Sequence, residues 1–167
     1  IILWNHRFEY DKNPQDFLYV LRLLKSKNIP FHLILLGQKG ESKTKIQQVF
    51  EQEFAKEIVF SGWVKDKRKY YQLLKSSDIV VSSAIHEFFG ASIVEAIYAG
   101  CHPLLPYRLS YPEILSVGDG SDFFYLDKQD FFEKLRSLLR FGGAKRNVLK
   151  DRVAKYSWQS LIEKYDD

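Results

Sequence analysis

Short apolar runs alternate along this chain with longer amphipathic stretches, and that alternation leaves few architectures open. Ile1–Trp4, Phe31–Leu36, Ile58–Phe60, Asp78–Val81 and His102–Pro106 are too short for helices and largely apolar. Between them, apolar residues recur at helical spacing. Phe17, Val20, Leu21 and Leu24 follow Asn13-Pro14, where proline suits a first helical position. Ile46, Val49, Phe50 and Phe54 form a second such set within a helix from Thr44 to Phe54, and Tyr70, Leu73 and Leu74 a third, ended near Ser76-Ser77. Strand, helix, strand in repetition predicts an α/β fold: a Rossmann-like parallel sheet flanked by helices. Phe123–Leu126 supplies a further strand, and Phe131, Leu135, Leu138 and Leu139 a helix closed by Gly142-Gly143. The tail from Ala144 to Tyr165 reads as helical, with a break near Ser157-Trp158.

No repeat, low-complexity tract or linker interrupts the pattern, so residues 1–167 read as one domain. A hydrophobic content of 46% is enough to build its core. No run approaches the ~20 apolar residues of a membrane span. The opening Ile-Ile-Leu-Trp resembles an interior strand and the sequence has no methionine, so an excised domain is expected. The single Cys101 excludes an internal disulfide and a cysteine metal cluster, which favours an intracellular protein with Cys101 as a packed residue. A net charge of +4 accommodates nucleotide phosphates or nucleic acid without identifying either. The densest basic run, Lys65, Lys67, Arg68 and Lys69, reads as a solvated helix start.

Open parallel sheets bind ligands outside the carboxyl ends of their strands, and the chemistry-bearing residues cluster in those loops. Glu87 and Glu95 bracket Gly90, beyond which Ala91–Ala99 reads as a small-residue helix stopped by Gly100. A helix start offers unpaired N–H groups and partial positive charge to a phosphate. Carboxylates serve sugar hydroxyls better than phosphates, so two of them astride that start suit a nucleotide sugar. An N-cap glutamate followed by a surface glutamate is the alternative. Arg7 and Lys12 share the loop after the first strand, where a guanidinium fork and an ammonium can both reach a diphosphate; two surface cations beside Glu9 and Asp11 are the plainer reading. Gly62, Trp63 and Val64 follow the third strand, where backbone and Val64 could frame a base; Trp63 fits that wall or the core equally. His86 either touches donor or acceptor or is structural. Gly37 and Gly40 read as a turn, and His6 and His102 receive no role.

Glu87, Phe89, Gly90, Glu95, Ala96, Gly100 and, one residue late, Pro103 resemble the Glu-x7-Glu segment of retaining glycosyltransferases with the GT-B fold. The resemblance implies that Glu87 approaches the donor sugar, backbone at Phe89, Gly90 and Ala91 faces the diphosphate, and Glu95 holds the ribose. It implies that Arg7 and Lys12 stabilise the leaving diphosphate, that Gly62 lies by the base pocket, and that no metal is required. No Asp-x-Asp metal motif occurs. Members also carry a Pro-Glu near the donor, matched by Pro112 and Glu113, which equally read as helix capping.

Longer strings narrow the match: Trp-Asn-His-Arg-Phe-Glu-Tyr-Asp-Lys-Asn-Pro, Ser-Ala-Ile-His-Glu-Phe-Phe-Gly and Pro-Leu-Leu-Pro-Tyr-Arg-Leu-Ser-Tyr-Pro-Glu. Across most of residues 1–115 these resemble the tRNA-queuosine alpha-mannosyltransferase family. The resemblance implies transfer of mannose from GDP-mannose, as donor substrate rather than cofactor, to queuosine in tRNA. It also implies a cytoplasmic protein, with the nucleus open, that has no membrane partner. In a GT-B enzyme an amino-terminal Rossmann domain holds the acceptor; that domain is absent here, so the chain reads as the carboxy-terminal donor half, inactive alone. Rival readings are a lipid or glycan acceptor, a non-catalytic nucleotide-binding module, and a glycoside hydrolase using Glu87 and Glu95. The hydrolase would need carboxyl groups ~5–9.5 Å apart, and Arg7 and Lys12 argue against it because hydrolysis generates no diphosphate.

Overall fold

The computed structural model describes residues 1–37, 43–118, 121–141 and 149–156. A six-stranded, wholly parallel sheet runs through them in the order β3-β2-β1-β4-β5-β6. Its strands are β1 (Ile2–Asn5), β2 (Leu33–Leu36), β3 (Ile58–Gly62), β4 (Ile79–Val81), β5 (His102–Pro106) and β6 (Phe124–Tyr125). The helices are α1 (Pro14–Ser26), α2 (Lys45–Glu53), α3 (Lys67–Ser76), α4 (Ala91–Tyr98), α5 (Tyr111–Leu115), α6 (Lys128–Phe141) and α7 (Lys150–Ala154).

The strands read as apolar runs because both faces of the sheet are covered. Ile2, Trp4, Leu33, Leu35, Ile79 and Val81 point to one side, where Phe17, Phe50 and Phe131 of α1, α2 and α6 meet them. Trp4 stacks on Phe17 with centroids 5.1 Å apart. Leu3, Ile34, Leu36, Val80 and Leu105 point to the other, against Leu74, Ile93, Ile97, Tyr111 and Val153 of α3, α4, α5 and α7.

Helix starts follow local chemistry. Pro14 opens α1 after Asn13, which takes φ 49°. Thr44 caps α2 by accepting from the Gln47 N–H, and Asp66 caps α3 by accepting from the Arg68 N–H.

Two strand boundaries differ from the sequence expectation in ways that shape the site. β1 extends to Asn5 rather than ending at Trp4, because Asn5 registers with Leu36. β3 continues through Gly62, which lies opposite Leu36. The expected breaks at Gly142-Gly143 and Ser157-Trp158 fall outside the described residues, as does Gly40. The sheet's switch point lies between β1 and β4, where the winding reverses and loops from both halves face one crevice. Among the described residues, no helix is long and apolar enough to cross a membrane.

Candidate functional site

At the switch point three loops are tied by hydrogen bonds. Tyr10–Lys12 forms a 3-10 turn after β1. The Asp11 carbonyl accepts from the N–H groups of Ile85 (2.8 Å) and His86 (3.1 Å), joining that turn to the β4–α4 loop. Ser83 Oγ donates to the carbonyls of Lys12 and Asn13. From the β5–α5 loop, Arg108 Nε donates to the Ala84 carbonyl at 3.1 Å.

This stitching brings Lys12 to Glu87. The ammonium lies 3.1 Å from Glu87 Oε2, donates to the His86 carbonyl at 2.9 Å, and lies 3.1 Å from Asp11 Oδ2. Both Lys12 and Glu87 side chains are mostly buried, at 12% and 14% exposure, so the pair is less screened than a surface ion pair.

His6 lies beneath it, with Nδ1 4.0 Å from the same carboxylate oxygen. Burial, then the Lys12 charge, push the His6 pKa down to about 3 against the opposing pull of Asp11. The imidazole is therefore neutral near pH 7 and its approach to Glu87 is not an ion pair. Gly37 packs directly on the His6 backbone: at φ +101°, a Cβ there would sit 2.9 Å from the His6 carbonyl carbon.

Gly90 adopts φ 76° and sets the start of α4. A Cβ there would press to 3.2 Å from the Tyr111 ring. The helix's first amide bonds run from Ile93 and Val94 to the Gly90 carbonyl, so the N–H groups of Ala91 and Ser92 precede the hydrogen-bond ladder and carry the positive end of the helix dipole. Ile93, Val94, Ala96 and Ile97 are buried, and Glu95 is half-buried facing Tyr70 of α3. Its Oε2 accepts from the Tyr70 hydroxyl at 2.6 Å, and Tyr70 in turn accepts from Asn5 Nδ2 at 2.8 Å.

Tyr70 and Asn5 line a cavity of about 610 Å³ together with Arg7, Trp63, Val64 and Lys65, and Glu95 meets it through the Tyr70 hydroxyl. Trp63 is half-exposed on this wall rather than in the core. Gly62, at φ +137°, turns the chain into it. A second hollow of about 730 Å³, lined by Lys25, Phe31 and Glu57 among others, borders none of the candidate residues.

Several expected groupings differ from the observed geometry. Arg7 does not join Lys12: it is exposed and pairs with Glu9 at 3.1 Å, because both side chains extend along the solvent side of the loop. His86 is exposed and meets Lys12 through its carbonyl. Phe89 is half-exposed, edge-on to Tyr156 at 5.2 Å. Glu113 is exposed in the first turn of α5. Sequence reasoning missed Asn5, Asp11, Tyr70 and Arg108 as organisers of the site. Asn5 carried one available signal, a polar residue closing an apolar strand run. Among the described residues, no group of three or more His, Cys, Asp and Glu side chains could hold a metal ion.

Comparison with known proteins gives the family and the fold. Over 113 residues, 68% of the chain, the sequence is 36% identical to the tRNA-queuosine alpha-mannosyltransferase of Drosophila melanogaster, and it spans 30% of that protein. The pneumococcal O-GlcNAc transferase GtfA superposes on 99% of the chain with a TM-score of 0.78 at 14% identity, the chain covering 34% of it. TarM matches with a TM-score of 0.73 at 19% identity, covering 98% of this chain and 34% of its own. The C-terminal domain of the group 1 glycosyl transferase LpcC of Francisella tularensis gives 0.69 at 20% identity, over 98% of this chain and 85% of that domain. These structural likenesses establish a shared fold, a Rossmann-like half of the GT-B architecture. The sequence pattern of the glycosyl transferases group 1 matches residues 1–156, and the chain belongs to that family.

Proposed function

We propose that this chain is the donor-binding half of a retaining, metal-independent mannosyltransferase that takes GDP-mannose and serves queuosine in tRNA. The observation that carries the reading is the meeting of Lys12 and Glu87, 75 positions apart, beside the start of α4. A cation, a carboxylate and a helix start together match a diphosphate that bears a sugar. In this reading the amides after Phe89 and Gly90, from Ala91 onward, receive phosphate oxygens. Lys12 takes up negative charge as the glycosidic bond to the diphosphate breaks, and Arg7 joins it on leaving Glu9. A well-placed group of this kind is worth roughly 2.7–4 kcal/mol in the transition state. With two cations at the leaving group, no divalent ion is required.

Glu87 exchanges Lys12 for a sugar hydroxyl and orients the mannose. Glu95 accepts from the ribose, while Gly62, Trp63 and Val64 frame the base on the cavity wall. His86 lies at the rim, toward donor or acceptor. The acceptor rests on the 36% identity to the Drosophila enzyme, and the retained stereochemistry on the family resemblance. A tRNA acceptor requires an intracellular location, cytoplasmic or nuclear.

Calorimetry tests the donor half: GDP should bind more tightly than GMP without added magnesium, and equal affinities or an absolute metal requirement would refute it. For the acceptor, the chain joined to an amino-terminal acceptor domain is incubated with GDP-mannose and tRNA. It should shift queuosine-containing tRNA on gels but not tRNA carrying guanine there, and the 167-residue chain alone should transfer nothing. Transfer only to lipid or protein would discard the acceptor.

A further inference from the structure

The contact chain from Asn5 through Tyr70 to Glu95 links the end of β1, α3 and α4. Asn5 is buried at 5% exposure, and its Nδ2 reaches both Tyr70 Oη at 2.8 Å and the Ser92 carbonyl at 3.2 Å. A carbonyl only accepts, which fixes the Asn5 amide with its nitrogen toward both partners. The Tyr70 oxygen therefore accepts a hydrogen bond from Asn5, and its own hydroxyl donates one to Glu95 Oε2 at 2.6 Å. Burial, then the adjoining Glu95 carboxylate, raise the Tyr70 phenol far above its ordinary pKa. The hydroxyl thus stays a donor throughout the working pH range. Glu95 Oε1 has no hydrogen-bond donor among the described residues, and Tyr70 lines the same cavity as Trp63 and Val64.

We propose that Tyr70, set by Asn5, is a positioning residue that holds one oxygen of Glu95 and turns the other toward the ribose hydroxyls, so that it governs selection of ribonucleotide over deoxyribonucleotide donors. The proposal rests on the donor reading above. Without the phenol hydroxyl, the carboxylate is free to rotate, and its bond to the 2′-hydroxyl loses its fixed direction.

The test is calorimetric titration of the 167-residue chain with GDP and with 2′-deoxy-GDP. The unsubstituted chain should prefer GDP by about tenfold or more, the worth of one hydrogen bond to a charged group. Tyr70→Phe keeps the ring and should bring the two affinities nearly together, chiefly by weakening GDP. In a Glu95→Gln background the same change should add nothing to the ratio. Asn5→Asp offers a second route, because a carboxylate there draws the phenol hydrogen away from Glu95 and should collapse the ratio likewise. Equal weakening of both nucleotides by Tyr70→Phe would mark a general structural role and overturn the proposal, as would an unchanged ratio. Failure of the unsubstituted chain to bind GDP would overturn the donor reading, and this proposal with it.

Discussion

Replacing His6 with glutamine should flatten the dependence of stability on pH between 6.5 and 5. The imidazole is 4% exposed and its pKa falls from 6.5 to about 3 on folding. Across that interval the unfolded chain binds a proton that the folded chain refuses, so stability is complete above pH 6.5 and drains as pH falls toward 3. At 1.36 kcal/mol per pH unit the ceiling is about 5 kcal/mol, and the fall from pH 6.5 to 5 about 2 kcal/mol. Protonation would also set a second cation beside Lys12, in competition for Glu87. His102 contributes in the same direction, since burial lowers its pKa against the pull of Asp122. The readout is therefore the difference between variant and parent rather than the parent's slope. Urea unfolding at pH 7.0, 6.0 and 5.0 supplies it through the transition midpoints. The parent should lose about 2 kcal/mol more than His6→Gln between the extremes. Parallel losses in the two proteins would refute a buried neutral His6.

Lys12→Met should destabilise the fold by about 1.5–3 kcal/mol, the cost of stripping hydrogen bonds from a largely buried carboxylate; a thermal melt checks this, and GDP affinity should fall with it. Gly37→Ala should lower the melting temperature by the equivalent of about 1–3 kcal/mol, because its Cβ would strike His6 backbone atoms that cannot swing aside. Glu95→Ala should weaken GDP by about 1.5–3 kcal/mol, whereas Glu87→Ala should spare GDP and damage turnover in the proposed two-domain enzyme. Equal effects of the two glutamate changes on GDP, measured by calorimetry, would reverse the assignment of Glu87 to the sugar.

The strands were legible because burial on both faces leaves a continuous apolar signature, and Trp4 or Ile34 had no solvent side to record. The start of α4 at Gly90, between Glu87 and Glu95, was legible because a helix start is a local event. What escaped the sequence was everything that depends on contact between elements. Tyr70 read as one more apolar position of a helix, since nothing in its spacing marks a hydroxyl aimed at a residue 25 positions away. Asp11 acts through its backbone carbonyl, which any residue carries. The choice between core and cavity wall for Trp63 turned on where β3 ends, and that depends on its pairing with β2. Arg7 and Lys12 looked equivalent on one loop, yet only Lys12 is drawn inward by the β4–α4 segment.

Placing β4 beside β1 also sets the timetable on which the chain becomes competent. The units β1–α1–β2 and β2–α2–β3 close over short spans and can consolidate around Trp4, Phe17 and Phe50 before the remainder arrives. Lys12 meets Glu87 only when a loop of 75 positions has closed. A nascent or half-folded chain therefore possesses a core without the proposed nucleotide site. If the proposed site binds GDP, its capture should lag burial of Trp4 in a refolding experiment, and GDP should stabilise the finished molecule while leaving the early phase untouched.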